Sequence, residues 1–234
     1  MEIYKNNDWK TLSLNGENVQ IPKDWDYKNL DSLGNLSRGK SKHRPRNDPN
    51  LFGKKYPFIQ TAEVKAARLW LSDKPEKYYS DFGLEQSKLW DEGTLCITIA
   101  ANIAESSILK YKACFPDSIL GFIPNKDVSN VFVKYQIDML KSKMKDSSKG
   151  SAQDNLNLDK INLFKLPIPS FDEQTNIVSL LSSQETVIEK TKELIQQIDK
   201  RNQFMLDELL SGRLRIKENE NGEVIFFKNE EWKT

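Results

Sequence analysis

Features that would assign this chain of 234 residues to a common class of enzyme or membrane protein are scarce. Its two cysteines, Cys96 and Cys114, lie in apolar, strand-like runs without C-x-x-C spacing. We therefore expect reduced core residues rather than metal ligands or a disulfide framework. No run approaches the roughly 20 apolar residues that span a bilayer, and the N-terminal residues lack the apolar segment of a signal peptide. These absences predict a cytoplasmic protein with no membrane partner and no metal site.

Motifs for catalysis are also missing. A DNA methyltransferase needs a glycine-rich cofactor loop and an Asn/Asp-Pro-Pro-Tyr-type motif, and neither occurs in the sequence. The nearest approach to a nuclease site is Asp48 with Glu63 and Lys65, which supplies few acidic residues. The single histidine, His43, has no nucleophile or carboxylate pairing visible near it and is better suited to contact a phosphate or base. We expect no catalytic residues and no cofactor.

The net charge of +1 conceals a strongly basic segment. Between Arg38 and Lys55 there are seven Lys or Arg residues and one Asp, and the glycines, prolines and asparagines among them predict an exposed loop. Lysine and arginine can contact phosphates, and arginine can bind a guanine edge. The alternative is a solvated loop without a partner. The candidate DNA contacts in this segment are Arg38, Lys40, Lys42, His43, Arg44, Arg46, Lys54 and Lys55.

Two further groups of polar residues have the chemistry to read base edges. Gln60, Thr61 and Glu63 follow a strand-like run, and glutamine can pair with adenine while glutamate can accept a hydrogen bond from cytosine. They could equally cap a turn. The second group, Ser151, Gln153 and Asn155, lies in a polar loop predicted between Lys145 and Asn157. Loop composition does not reveal which bases are read.

The remaining patterns predict an α+β fold, a globular domain over residues 1–168 followed by one long helix. One amphipathic helix is expected over Asn130–Met144, and an extended link over Leu163–Pro169. Apolar or alternating runs predict strands at Leu30–Leu36, Tyr56–Thr61, Leu69–Leu71, Leu95–Ile99, Ser107–Tyr111 and Ile119–Pro124.

The long helix is predicted between Pro169 and Arg215, within residues 169–216. No Gly or Pro interrupts Glu173–Leu210, Ser170 begins a capping box, and Gly212 follows the last apolar pair. About 38 residues would span roughly 57 Å, too long for its own domain to cover. A wide apolar stripe therefore predicts a partner helix, although packing against the chain's own domain remains an alternative. The stripe contains Ile177, Leu180, Leu181, Gln184, Val187, Ile188, Thr191, Leu194, Ile195, Ile198, Met205 and Leu209.

The two ends of the chain resemble each other. Ile3–Thr11 (IYKNNDWKT) and Phe226–Thr234 (FFKNEEWKT) share five identities in nine positions. This match predicts one unit of a tandem repeat whose ends overlap, with residues 217–234 forming a short β-like tail. The alternative is two unrelated polar strands.

The order of these signals resembles the specificity (S) subunit of Type I restriction-modification systems. The most specific runs are YPFIQT, GLEQSKLWDEGTLCIT and LPIPSFDEQ, within a resemblance that covers nearly all of the chain. It implies a target-recognition domain and a helical spacer in a non-catalytic subunit that binds double-stranded DNA with methyltransferase (modification) and restriction subunits. The usual S subunit has two recognition domains and two antiparallel spacer helices, whereas this chain has one of each.

The missing second helix suggests that two copies form a homodimer through an antiparallel coiled coil. Such a dimer would read a bipartite palindromic site, with half-sites separated by about one and a half turns of duplex. The alternative function is a coiled-coil scaffold or assembly protein whose basic loop binds DNA without sequence preference.

Overall fold

The structure, a computed structural model, describes residues 9–14, 17–72, 74–148, 156 and 158–228. The chain divides into two compact units, residues 1–178 and 179–234, which are described in turn. The strands are β1 Trp9–Leu14, β2 Glu17–Pro22, β3 Asp26–Asn29, β4 Gly34–Arg38, β5 Phe52–Phe58, β6 Lys77–Tyr79, β7 Leu89–Trp90, β8 Leu95–Thr98, β9 Ser106–Ile108, β10 Ala113–Cys114, β11 Ile119–Pro124, β12 Lys165–Ile168, β13 Leu214–Glu218 and β14 Val224–Lys228. The helices are α1 Leu30–Leu33, α2 Thr61–Ala66, α3 Asp81–Glu85, α4 Asn130–Ser148, α5 Leu158–Asn162 and α6 Phe171–Leu210.

Two four-stranded sheets dominate the first unit. One has the order β6-β5-β10-β7, and the other is an antiparallel sheet with the order β4-β11-β8-β9. Strands β1 and β2 form a hairpin, and β12 pairs with β3 so that Ile168 lies opposite Asp26. The first unit is therefore a mixed α+β domain, as the sequence predicted.

The main core of the domain lies between the second sheet and α4. Phe132, Val133 and Ile137 on one face of α4 are buried in the same cluster as Ile97 and Phe122 of the sheet. The burial of this face explains why apolar residues recur at helical spacing from Asn130 onward, because one face of α4 packs against the sheet. Both cysteines are buried and free, and burial raises the pKa of each thiol, as expected of unreactive core residues.

The second unit contains most of α6 and the β13–β14 hairpin. Helix α6 is continuous over 40 residues, and Gly212 after its end has a φ of +71°, the left-handed conformation typical of a helix terminator. Leu214 pairs with Lys228 and Glu218 with Val224 in the hairpin. Most of the predicted match between Ile3–Thr11 and Phe226–Thr234 lies outside the described residues.

Several predicted boundaries are wrong. The predicted strand Leu30–Leu36 is a helical turn followed by β4, because Leu30 and Leu33, three residues apart, both point into the core. The run Leu69–Leu71 forms a single bridge between Trp70 and Ile108 instead of a strand. The extended link includes strand β12, whose backbone is paired with β3.

The predicted loop between Arg38 and Lys55 ends earlier than expected. A short 3₁₀ turn at Pro49–Leu51 leads into β5, which also covers the first half of the predicted strand Tyr56–Thr61. Phe52 and Tyr56 both lie opposite Tyr79 of β6, so the residues between them bulge from the ladder. Lys54 and Lys55 thus project from a β-bulge, and Thr61 belongs to α2.

Candidate nucleic-acid interface

Residues 38–48 form an exposed segment, the basic loop, that is attached to the domain by its backbone. Lys40 N–H donates to Phe115 O (3.1 Å) and Lys42 N–H donates to Gln86 O (3.0 Å). Glycine is required at position 39, just before Lys40, because a Cβ atom there would lie 2.3 Å from the backbone oxygen of Pro116. With the backbone held, the charged side chains of the loop extend into solvent.

His43 has a carboxylate partner, contrary to the sequence interpretation. Its Nε2 atom lies 2.7 Å from Asp48 Oδ2, because the turn after Arg44 brings the chain back on itself. The backbone N–H of Asn50, and then the imidazole of His43, hold the pKa of Asp48 below its usual range. The His43 ring also packs edge-on against Phe82, 5.3 Å between centroids. The pair stabilises the far end of the basic loop.

Two further predicted DNA contacts are already paired with acids. Arg46 Nη2 lies 2.9 Å from both carboxylate oxygens of Asp117, and Lys55 Nζ lies 2.7 Å from Asp81. The hydrogen bond and charge of Asp81 raise the pKa of Lys55. A third predicted contact, Arg44, donates to the carbonyl oxygens of Ser41 and His43. Asp117 and Asp81 therefore offset the charges of Arg46 and Lys55, while Arg44 keeps its full charge but has fewer donor groups free for a phosphate.

Four predicted cationic contacts are exposed and have neither an acidic partner nor a side-chain hydrogen bond among the described residues. They are Arg38, Lys40, Lys42 and Lys54. The first three project from the end of β4 and the start of the basic loop, and Lys54 projects from the bulge in β5. They are the cations best placed to contact a phosphate backbone.

A cleft of about 730 Å³ lies beside the basic loop. Strands β5 and β6 form one side, and the start of α2 brings Gln60 and Thr61 to it. Residues that line the cleft include Ser41, Arg46, Asn47, Gln60, Thr61, Lys77 and Tyr78. The structure thus brings two predicted base-reading residues and part of the basic loop to one concave surface. An arrangement of this kind can combine phosphate contacts with hydrogen bonds to base edges.

Glu63, the third residue of this predicted group, is engaged inside the protein. Its carboxylate accepts hydrogen bonds from the backbone N–H groups of Gln60 (2.8 Å) and Glu76 (3.3 Å). Burial raises the pKa of Glu63, although these two bonds oppose the shift. The turn-capping alternative therefore describes Glu63, which connects the start of α2 to the segment before β6.

Some cleft residues were not anticipated, and some anticipated residues cannot be placed. Asn47, Lys77 and Tyr78 line the cleft, yet β6 has only three residues and gives no alternating pattern in the sequence. The Lys77 ammonium group lies 5.7 Å from the centroid of Phe52. Ser151, Gln153 and Asn155 lie outside the described residues.

The predicted stripe on α6 is largely open to solvent. Leu180, Val187 and Leu194 are 65%, 60% and 55% exposed, and Leu181, Ile188, Ile195 and Ile198 are exposed as well. Gln184 and Thr191 are exposed, while Met205 and Leu209 are half-buried. Ile177 differs, because it packs against the core of the first unit. The unpartnered surface therefore begins at Leu180.

In the described part of the chain, no helix has an apolar stretch that could span a bilayer. In the same residues no group of three or more His, Cys, Asp or Glu side chains is placed to hold a metal ion.

Sequence similarity places the chain among DNA-specificity proteins. Residues 22–200 match the family model of the Type I restriction modification DNA specificity domain, and the chain belongs to that family. It is similar to the putative type I restriction enzyme MjaX specificity subunit of Methanocaldococcus jannaschii, with 25% identity over 199 residues. That alignment covers 85% of this chain and 45% of the relative. The MjaIX specificity subunit of the same organism is 23% identical, covering 82% of this chain and 45% of that protein.

Solved structures show the same fold. A chain from a study of complex assembly and conformational transition of the type I R-M system has a TM-score of 0.62 at 17% identity, covering 81% of this chain and 46% of that one. The HsdS subunit of Thermoanaerobacter tengcongensis has a TM-score of 0.57 at 15% identity, covering 81% of this chain and 45% of that one. The chain thus spans about half the length of the relatives it matches.

Proposed function

We propose that this chain is a non-catalytic DNA-recognition subunit that reads one half of a two-part site. The cleft between the basic loop and β6 supports this proposal best. Its lining combines Gln60 and Thr61 with three residues of the basic loop, Ser41, Arg46 and Asn47. The exposed cations Lys40, Lys42 and Lys54 supply contacts that fix orientation, while the amide and hydroxyl groups in the cleft supply contacts that depend on sequence.

A second part of the proposal concerns α6. Two copies pair through the apolar surface that begins at Leu180, with their helices antiparallel, and the pair reads a bipartite palindrome. The support is the continuous exposure of Leu180, Val187 and Leu194 along a helix of 40 residues. Leaving several large apolar side chains in water is unfavourable by about 25 cal/mol per Å² of apolar surface, so burial against a second helix is stabilising.

The dimer recruits the DNA-methyltransferase and restriction subunits of a Type I complex in the cytoplasm, and these supply the chemistry. Each 40-residue helix is roughly 60 Å long, which corresponds to half-sites separated by about one and a half to one and three-quarter turns of duplex. The part of the stripe not used by the second helix is available to those subunits.

Selection from a random duplex library with the purified full-length chain tests the proposal. We expect one enriched site with two inverted halves at a fixed separation, and binding that weakens steeply with salt. Enrichment of no sequence, with weak binding to all duplexes, would support the alternative of a scaffold with a non-specific basic loop.

A further inference from the structure

The first turn of α6 contains a polar residue that is completely enclosed. Gln174 has 0% exposure although it lies on the helix whose later residues are mostly in water. A buried amide is unfavourable unless its hydrogen-bonding groups all find partners. Its surroundings therefore indicate what the side chain holds together.

All the hydrogen-bonding groups of the Gln174 amide that the structure describes are satisfied by backbone atoms. The Oε1 atom accepts from the backbone N–H of Ser129 (2.9 Å). The Nε2 atom donates to the carbonyl oxygens of Asp127 (3.2 Å) and Pro169 (3.1 Å). If the amide were flipped, its oxygen would face the carbonyl oxygens of Asp127 and Pro169, and its NH₂ group would face the N–H of Ser129. The hydrogen bonds therefore define one orientation of the amide.

These partners belong to segments far apart in sequence. Ser129 also caps α4, since its Oγ accepts from the N–H of Phe132, and α4 is embedded in the core. Gln174 thus couples the first turn of α6 to the first turn of α4. Beside it, the indole N–H of Trp25 donates to a carboxylate oxygen of Glu173 (3.2 Å).

The second turn of α6 completes this attachment. Ile177 and Val178 pack against the main core, so the first eight residues of the helix are held by hydrogen bonds and by apolar contact. We infer that Gln174 is the positioning residue that sets the direction in which α6 leaves the recognition domain, and thereby the spacing between the two half-sites. This inference rests on the proposed function.

The length of α6 explains why a small change at Gln174 matters. A tilt of 10° at one end of a helix roughly 60 Å long displaces the other end by about 10 Å, equal to about three base pairs. Gln174 touches no DNA in this scheme. Its loss should change the preferred separation of the half-sites and leave the bases in each half-site unchanged.

The experiment compares three full-length variants with the wild type. Gln174→Met keeps the side-chain length but removes all three hydrogen bonds, and Gln174→Glu is a second variant at the same position. Gln196→Met is the matched control, because Gln196 is exposed on α6 and outside the apolar stripe. Circular dichroism checks folding. Affinities are measured for the selected site, for sites with the spacer shortened or lengthened by one and two base pairs, and for a single half-site.

We expect the wild type and Gln196→Met to prefer the selected spacer by about tenfold or more, the scale set by the cost of deforming the intervening DNA. Gln174→Met should reduce that preference at least about threefold while its affinity for a single half-site stays within about twofold. An unchanged spacer preference in folded Gln174→Met would overturn the inference.

If Gln174→Met does not fold, Gln174→Glu decides by the same comparison, because it keeps the acceptor for Ser129 and loses the NH₂ donors to Asp127 and Pro169. A reduced spacer preference supports the inference and an unchanged one overturns it. Failure of the proposed function is distinguishable, because it appears in the wild type. A wild-type chain that selects no two-part site, or tolerates every spacer equally, refutes the proposed function and the inference together.

Discussion

The Nη2 atom of Arg46 lies 2.9 Å from both carboxylate oxygens of Asp117, 71 residues further along the chain. The two side chains are about half exposed, so the pair contributes little to folding, roughly 0–1 kcal/mol. The pair matters more for DNA binding, because Asp117 offsets the positive charge of Arg46 at the edge of the cleft and places a carboxylate where it would repel a phosphate.

Asp117→Asn should therefore strengthen DNA binding. Releasing Arg46 allows one more phosphate contact, so the slope of log K against log salt should steepen by about 0.9. Fluorescence anisotropy at several salt concentrations measures this slope. Asp26→Asn, which disrupts the exposed pair with Lys28, is the control and should leave the slope unchanged. Equal slopes for both variants would place Arg46 away from the phosphates.

Lys40→Ala and Lys42→Ala should each weaken binding to all duplexes by a similar factor. Each removes one exposed cation that has no acidic partner in the described part of the chain, so the salt slope should become shallower by about 0.9 per substitution. Lys126→Ala is the control, since Lys126 follows the end of β11 that pairs with Gly34, the opposite end of β4 from Arg38. The basic loop would not be the phosphate contact if Lys126→Ala had the same effect.

Gln60→Ala should relax sequence preference at one base pair without changing the salt slope. Loss of a paired amide contact to a base costs about 1–3 kcal/mol of discrimination. The backbone N–H of Gln60 still donates to Glu63, so the start of α2 should remain folded. Repeating the library selection with this variant, beside Thr61→Val, measures the change. A uniform loss at every position would argue against base reading by Gln60.

Leu194→Glu should dissociate the proposed dimer. A carboxylate at a position that is 55% exposed in one chain costs little there, but it would be buried against the second helix. Sedimentation should give about twice 27.1 kDa for the wild type and 27.1 kDa for the variant. Lys192→Glu, outside the stripe on the same helix, should remain dimeric. A wild-type monomer at micromolar concentration would contradict the proposed pairing.

Glu105→Gln should destabilise the domain in a pH-dependent way. Burial alone would raise the pKa of Glu105, but hydrogen bonds and charges from Lys141 and Lys145 outweigh it and lower the pKa. A lowered carboxyl pKa stabilises the fold above the unfolded value, about 4.3, and this contribution is lost as pH falls through the folded value.

Urea unfolding of this variant should show a loss of about 1–3 kcal/mol at pH 7 that shrinks toward pH 3. Glu92→Gln, at an exposed turn position, should change the free energy of unfolding by less than about 0.5 kcal/mol at both pH values. A loss for Glu105→Gln that did not depend on pH would show that shape, and not charge, matters at this position.

Features with local signals could be predicted from the sequence. The uninterrupted helical spacing of apolar residues and the terminator Gly212 identified α6. Runs of apolar residues identified β8 and β11. The pairing of Arg46 with Asp117 could not be predicted, because it depends on residues brought together by β4 and β11. Gln174 gave no signal either, since a glutamine beside acids in a first helical turn is usually exposed. The core around α4 encloses it only after folding.

The pairing of β3 with β12 joins the two ends of a long segment of the first unit. Asp26 lies opposite Ile168 and Asn29 opposite Lys165, so the segment between residues 29 and 165 begins and ends at neighbouring positions. That segment contains Asp127 and Ser129, whose backbone atoms bind Gln174 of α6. The ladder is thus a backbone clasp that closes the segment beside the helix it supports, and its hydrogen bonds do not depend on which side chains the segment carries.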